Sequence, residues 1–220
     1  MNLVDPVQRR LLLRRGLGLA AALAVPARLR AEDHSAHARA AAAPSVRRSS
    51  VRLEPAAVQV TREDGRSLSL QQLLADKRPV MLNFIYTSCT AICPVTSQVF
   101  REVRERMGAQ REQLLAVSVS IDPEYDNVRR LAEYASRFDG GSASWRFLTS
   151  SLKDSVAIQK SFDAYQGDKM NHLPITFVRP AAGAQWTRFD GFASPAVLVQ
   201  ELKPLLEVAP GVRPARPSPS

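Results

Sequence analysis

The sequence predicts an α/β sandwich in which helices flank a central mixed sheet that begins with an N-terminal hairpin. Three observations carry this prediction. Val80–Tyr86 and Leu114–Ile121 are nearly unbroken apolar runs of strand length, as expected of strands covered on both faces. Between and after them, segments of helical period alternate with further strand-like runs. The only two cysteines of the 220 residues, Cys89 and Cys93, stand where the first run gives way to a helix.

The elements follow in chain order. Residues 52–60 and the Asp64-Gly65 turn suggest the hairpin, and Ser69 followed by Gln71, Gln72 and Leu73 opens a short helix. Val80–Tyr86 is the central strand. Pro94–Gly108 places Val95, Val99 and Val103 on one helical face, with Gly108 as the stop. Leu114–Ile121 is the second buried strand and ends in Asp122-Pro123. Asp126–Phe138 is a helix with Leu131, Tyr134 and Phe138 inward. Trp145–Leu148 is a short strand and Ser151–Phe162 a helix. Ile175–Val178 and Gln185–Phe189 form a strand pair, and a helix from Ser194-Pro195 to Glu207 closes the domain. A dithiol between a central strand and its helix is a thioredoxin-like arrangement.

The ends of the chain read differently. Residues 1–31 have the layout of an export signal: the pairs Arg9-Arg10 and Arg14-Arg15, the apolar run Gly16–Ala27, and small residues at Ala27 and Ala31. Paired arginines followed by leucines resemble a twin-arginine signal. The uninterrupted apolar run is about 18 Å long as a helix, short against a hydrocarbon core of roughly 30 Å. The leader has no cysteine to carry a lipid anchor, so the expected location is periplasmic or exported, with membrane contact only through a partner. Residues 32–50 read as a flexible linker, 51–207 as one domain, and 208–220, with four prolines, as a disordered tail.

Charge excludes one class of partner. The formal net charge is +9, but residues 1–31 hold six arginines against one aspartate. Residues 32–220 carry 24 basic and 20 acidic side chains, a net of +4 that is no phosphate-binding surface. No nucleic acid is expected.

Two thiols four residues apart share one helical face, with about 6 Å between neighbouring positions, and a helix N-terminus favours the thiolate of each. Three readings of the pair are open. A closed disulfide would staple a turn, although a bridge across so short a loop removes little entropy from the unfolded chain. A redox dithiol would exchange disulfides, with three residues between the cysteines where oxidoreductases usually hold two. A copper site would use thiolates, which select Cu(I), and an added imidazole, which admits Cu(II). The only histidines are His34, His37 and His172. His172 precedes the strand that begins at Ile175, and in a thioredoxin-like layout that loop, with Pro174, faces the cysteine loop. Met170 is a soft donor two residues away, with core packing as its alternative role.

The run Asn83-Phe84-Ile85-Tyr86-Thr87-Ser88-Cys89-Thr90-Ala91-Ile92-Cys93-Pro94 resembles the Sco/SenC family of copper-binding, thioredoxin-like proteins. So do Ser120-Ile121-Asp122-Pro123-Glu124-Tyr125-Asp126, Leu131-Ala132-Glu133-Tyr134-Ala135, Asn171-His172 and Asp190-Gly191-Phe192. The resemblance spans roughly residues 55–205. It implies copper, as Cu(I) or Cu(II), held by Cys89, Cys93 and His172, and a metallochaperone that supplies the binuclear copper site of a respiratory cytochrome oxidase. The alternative is a thiol-disulfide oxidoreductase that reduces the cysteines of that copper site, with Cys89 as the attacking thiolate. Many members carry Cys-Pro-Asp-Val-Cys-Pro, whereas Thr90, Ala91 and Ile92 fill the gap here. Asp122-Pro123 is expected to shape the site entrance or to be an ordinary strand-ending turn. Peroxidatic cysteine enzymes share the general fold, but Tyr86 stands where their motif has proline.

A second copper site arises if the leader is cut after Ala31. Glu32-Asp33-His34 would then offer a free amine, two amides and an imidazole in the square-planar set that suits Cu(II).

Overall fold

The computed structural model describes residues 46–180, 183 and 185–208. The expected export signal, the Glu32-Asp33-His34 motif, His37 and the proline-rich tail lie outside them. Among the described residues no helix is long and apolar enough to cross a membrane.

Among the described residues, eight strands form one mixed sheet. They are β1 (Arg47–Arg52), β2 (Gln59–Arg62), β3 (Ser67–Ser69), β4 (Val80–Ile85), β5 (Leu115–Ser120), β6 (Trp145–Thr149), β7 (Ile175–Arg179) and β8 (Gln185–Asp190). Their spatial order is β1-β8-β7-β4-β5-β6-β2-β3. Strands β4, β5 and β6 are parallel, and every other pairing is antiparallel. The α-helices of the described residues cover the sheet: α1 (Leu70–Leu74), α2 (Ile92–Met107), α3 (Val128–Ser136), α4 (Leu152–Ser161) and α5 (Pro195–Val208).

Side-chain alternation on β4 divides the core in two. Met81 and Ile85 point toward Phe100 and Val103 of α2, Leu131 and Tyr134 of α3, and Leu198 and Leu202 of α5. Val80, Leu82 and Phe84 point the other way, toward Leu70 and Leu74 of α1 and Ile158 of α4. Burial on both faces explains why β4 and β5 read as continuous apolar runs. Asn83 breaks the run, and the break is satisfied internally: it accepts from Ser118 Oγ at 2.8 Å, and its amide reaches Thr96 Oγ1 at 3.4 Å.

Helix starts fall within two residues of those expected, with α3 capped by Asn127, one residue past Asp126. Ser69, Asn127 and Ser151 each cap a helix with a side-chain oxygen, which satisfies an N–H that has no partner within the helix. The buried face of α2 keeps Val99 and Val103 of the valine stripe that the sequence suggests, but not Val95. Val95 is 48 % exposed, and the buried face runs through Cys93, Thr96, Ser97, Phe100, Val103, Arg104 and Met107. That set follows the i, i+3, i+4, i+7 pattern with polar members whose partners lie inside the fold. Arg104, for instance, donates to the Ser144 carbonyl at 3.1 Å.

The expected hairpin is β2–β3, turning at Asp64-Gly65, where Gly65 has φ +83°. Residues 47–50, expected as linker, instead open β1, which pairs with β8 through Arg47↔Asp190 to Arg52↔Gln185. The polar sequence of β1 suits an edge strand, and its Arg48 forms a two-pronged ion pair with Glu201 of α5.

Candidate metal centre

Strand β4 ends at Ile85, and residues 86–91 carry the chain from the sheet to the first turn of α2. The N-cap position, Ala91, has no side chain that can cap. The sulfur of Cys89 takes that role by accepting the Cys93 N–H at 3.3 Å. The sulfur of Cys93 in turn accepts the Tyr86 N–H at 3.5 Å. Both thiols are free, Cys89 half-buried and Cys93 buried.

The shared turn makes the two thiols chemically unequal. Burial disfavours the Cys89 thiolate, but the N–H groups of Cys93 and Ala91, with polar contacts from the Cys93 thiol and the Tyr86 hydroxyl, outweigh it and hold the thiol below its ordinary value. Burial pushes the Cys93 thiol far up, against the opposing Tyr86 N–H. One sulfur is thus half-buried and more readily ionised, while its neighbour is buried and held protonated. Tyr86 is pushed up to about 12 by burial and by its contact with Cys89, so its hydroxyl remains a donor.

His172 closes a 3-10 turn, Lys169–Asn171, two residues ahead of Pro174. The peptide bonds of the described residues, including the one before Pro174, are all trans. The imidazole is buried, with Nε2 3.0 Å from the Phe84 carbonyl oxygen. The reason lies in the sheet register. β7 pairs with β4 only as far as Asn83↔Thr176, so the Phe84 carbonyl on that edge has no ladder partner, and the imidazole supplies one. A carbonyl only accepts, so Nε2 carries the hydrogen and the lone pair of the neutral ring is at Nδ1. Burial lowers the imidazole below its ordinary value, against the Phe84 bond, which keeps it neutral and able to act as a ligand.

Of the three residues singled out by sequence, Cys89 and Cys93 share one turn. His172 lies across Tyr86 from them, its ring edge-on to the phenol with centroids 6.3 Å apart. Among the described residues no three His, Cys, Asp or Glu side chains are grouped to hold a metal. The donor chemistry nonetheless fits a soft ion: one thiol poised to ionise, a second beside it, and a neutral imidazole reaching the same tyrosine. His172 also lines a cavity of about 100 Å³ with Ile121, Gln159 and Lys169, so it is not packed on every side.

The acidic turn after β5 has a larger part than an ordinary strand end. Asp126 is fully buried and accepts from Thr87 N at 3.1 Å, Thr87 Oγ1 at 2.5 Å and Ser120 Oγ at 2.6 Å, which fastens the start of the cysteine loop. Asp122 accepts from Lys169 Nζ at 2.5 Å, which fastens the turn before His172. The stretch 122–126 therefore ties down both halves of the site. Asp122 is tied to the turn before His172, whereas the role of Asp126 escapes sequence reasoning. The signal available for Asp126 is its position one residue before the Asn127 cap, at the mouth of a buried strand.

A family model described as SCO1/SenC matches residues 56–207. The SCO1 protein homolog of Bacillus subtilis is 30% identical over 105 residues, 46% of this chain and 53% of that protein. The chain thus spans about half the length of this curated relative. The copper-bound structure of Bradyrhizobium japonicum ScoI superposes with a TM-score of 0.59 at 22% identity, over 70% of this chain and 99% of that one. BsSco, described as having a disulfide switch and as a member of the Sco family of cytochrome c oxidase assembly proteins, superposes with a TM-score of 0.61 at 23% identity, over 73% and 97%. At these identities the structural likeness shows the fold.

Proposed function

This chain belongs to the SCO1/SenC family, and from that premise we propose that it binds a copper ion through Cys89, Cys93 and His172 and delivers it to the binuclear copper site of a respiratory oxidase. Copper is cargo in this reading. The observation that carries it is the Cys89–Cys93 turn, in which two free thiols share one turn, with a neutral imidazole edge-on to the adjoining Tyr86. Cys89 captures the ion as a thiolate, and the proton of Cys93 leaves when the metal replaces it. His172 completes the set through the lone pair of Nδ1, which the Phe84 bond leaves free. An open, low-coordinate site leaves room for the thiolates of the recipient to enter. The place of work is outside the cytoplasm, as the leader suggests, and the membrane is reached through the recipient.

The inequality of the two thiols favours a second reading, disulfide exchange with that same copper subunit. The Cys89 thiolate attacks a disulfide of the recipient, forming a mixed disulfide and releasing one recipient thiolate. Cys93 loses its proton and attacks Cys89 Sγ, releasing the second thiolate and leaving a Cys89–Cys93 disulfide. The recipient is reduced by two electrons, and this chain's dithiol is oxidised by two.

Replacing His172 with alanine separates the readings. Copper titration of the reduced protein, with X-ray absorption to count sulfur and nitrogen neighbours, should show two sulfurs and a loss of nitrogen ligation and affinity in His172→Ala. Disulfide exchange should persist in that variant. Unchanged copper affinity and ligand count would remove His172 from the ligand set.

A further inference from the structure

The turn ahead of His172 presents Met170, which is 72 % exposed, more than any other large apolar side chain in the described residues. A methionine in a core fills space, and Met81 and Met107 do so at 0 % and 4 % exposure. Met170 fills nothing. Its backbone is nevertheless held in place, because Asp168 caps the turn and accepts the Met170 N–H at 2.9 Å.

The sulfur of Met170 lies 4.0 Å from the Tyr86 hydroxyl. The backbone of the same tyrosine borders the dithiol: its carbonyl accepts the Cys89 N–H at 3.1 Å, and its N–H donates to Cys93 Sγ at 3.5 Å. Thioether and dithiol therefore meet at one residue, Tyr86, from two elements that are 81 residues apart in the chain, which brings a third sulfur to the side of the dithiol. Thioethers are soft, uncharged donors that select Cu(I).

Resting on the copper reading above, we propose that Met170 Sδ is a further Cu(I) ligand in this chain, a third sulfur beside the two thiols. The step is coordination alone: the thioether donates a lone pair, has no proton to lose, and leaves the charge and oxidation state of the ion unchanged. A neutral donor on an exposed, flexible side chain is also readily displaced by an incoming thiolate, which suits an ion that must be handed on.

Selenomethionine substitution provides the test. The full-length protein carries Met1, Met81, Met107 and Met170, and all four would bear selenium. The labelled, reduced protein loaded with one equivalent of Cu(I) should show copper backscattering at the selenium edge, and Met170→Leu should abolish it. The same variant should lose Cu(I) affinity several-fold against a chelator while its Cu(II) affinity holds. Met170→Leu changes an exposed side chain, so the fold should survive, and circular dichroism checks this. Copper bound by sulfur without selenium scattering would overturn the proposal and leave the cysteine reading standing. Selenium scattering that persists in Met170→Leu would place the ion at another methionine and overturn it too. No Cu(I) binding at all would remove both the proposal and the reading beneath it.

Discussion

His172 Nε2 lies 3.0 Å from the carbonyl oxygen of Phe84, and this bond occupies the last backbone acceptor of β4 that β7 leaves unpaired. The imidazole is therefore both a structural partner of the sheet and a candidate ligand. Burial, against the Phe84 bond, lowers its proton affinity in the fold, so the unfolded chain takes up a proton first as pH falls below about 6.5. The stability tied to the neutral ring is complete above that value and is lost as pH falls through the folded-state value. Urea unfolding of the metal-free protein should show stability falling with pH in this window. His172→Gln should flatten the slope, and equal slopes in the two proteins would contradict the neutral, buried ring.

Selective alkylation tests the inequality of the thiols. Cys89 is half-buried with its thiolate favoured, whereas Cys93 is buried with its thiol held protonated. Thiolate is the reactive form, so iodoacetamide at neutral pH should modify Cys89 well before Cys93, and Cys89 should remain reactive at a pH where an ordinary thiol has slowed. Peptide mapping of the singly modified protein reads the order. Modification of Cys93 first would reverse the roles given to the two sulfurs in disulfide exchange.

How much of this was legible in the sequence depended on whether the cause was local. Val80–Ile85 declares itself as a doubly covered strand because both faces need apolar side chains, and Ser69, Asn127 and Ser151 mark helix starts through their own oxygens. The two cysteines are visible because one turn holds them. β1 was not visible: its residues Arg47–Arg52 are polar, and its only pairing is with β8, over 130 residues away. The pose of His172 was equally hidden, since it follows from where the β4–β7 ladder stops. Val95 points outward because the buried face of α2 includes Thr96, Ser97 and Arg104, polar residues whose partners come from β4, α3 and the Ser142–Ser144 loop.

The β1 edge makes its own prediction. Glu201 receives two hydrogen bonds from Arg48, at 2.8 and 3.0 Å, and one from Thr187 at 2.7 Å, which joins β1, β8 and α5. Burial opposes the Glu201 carboxylate, but these donors outweigh it and hold the carboxyl below its ordinary value. Its contribution is present above the unfolded value of about 4.3 and fades as pH falls through the folded one. Because Arg48 is more than half exposed, Glu201→Gln should cost under about 1 kcal/mol at neutral pH. Thermal unfolding should show that difference shrinking toward zero in acid, and a difference that grows there would be inconsistent with the pairing.

The turn between β5 and α3 should govern both halves of the candidate centre, through different carboxylates. Asp126 accepts three hydrogen bonds in a fully buried position, so Asp126→Ala would strand the Thr87 and Ser120 donors and cost on the order of 3 kcal/mol. Asp126→Asn retains the shape and can still accept on one oxygen, so it should recover part of that loss. The Asp122–Lys169 pair is less buried on the lysine side and holds the turn that leads to His172, so Asp122→Asn should leave global stability nearly intact while freeing that turn. Amide hydrogen exchange distinguishes the two. Asp126 variants should expose the amides of the 86–91 loop, and Asp122→Asn those of residues 169–172. If both variants instead loosened the same loop, the turn would be acting as one rigid unit and the division of labour between its carboxylates would be wrong.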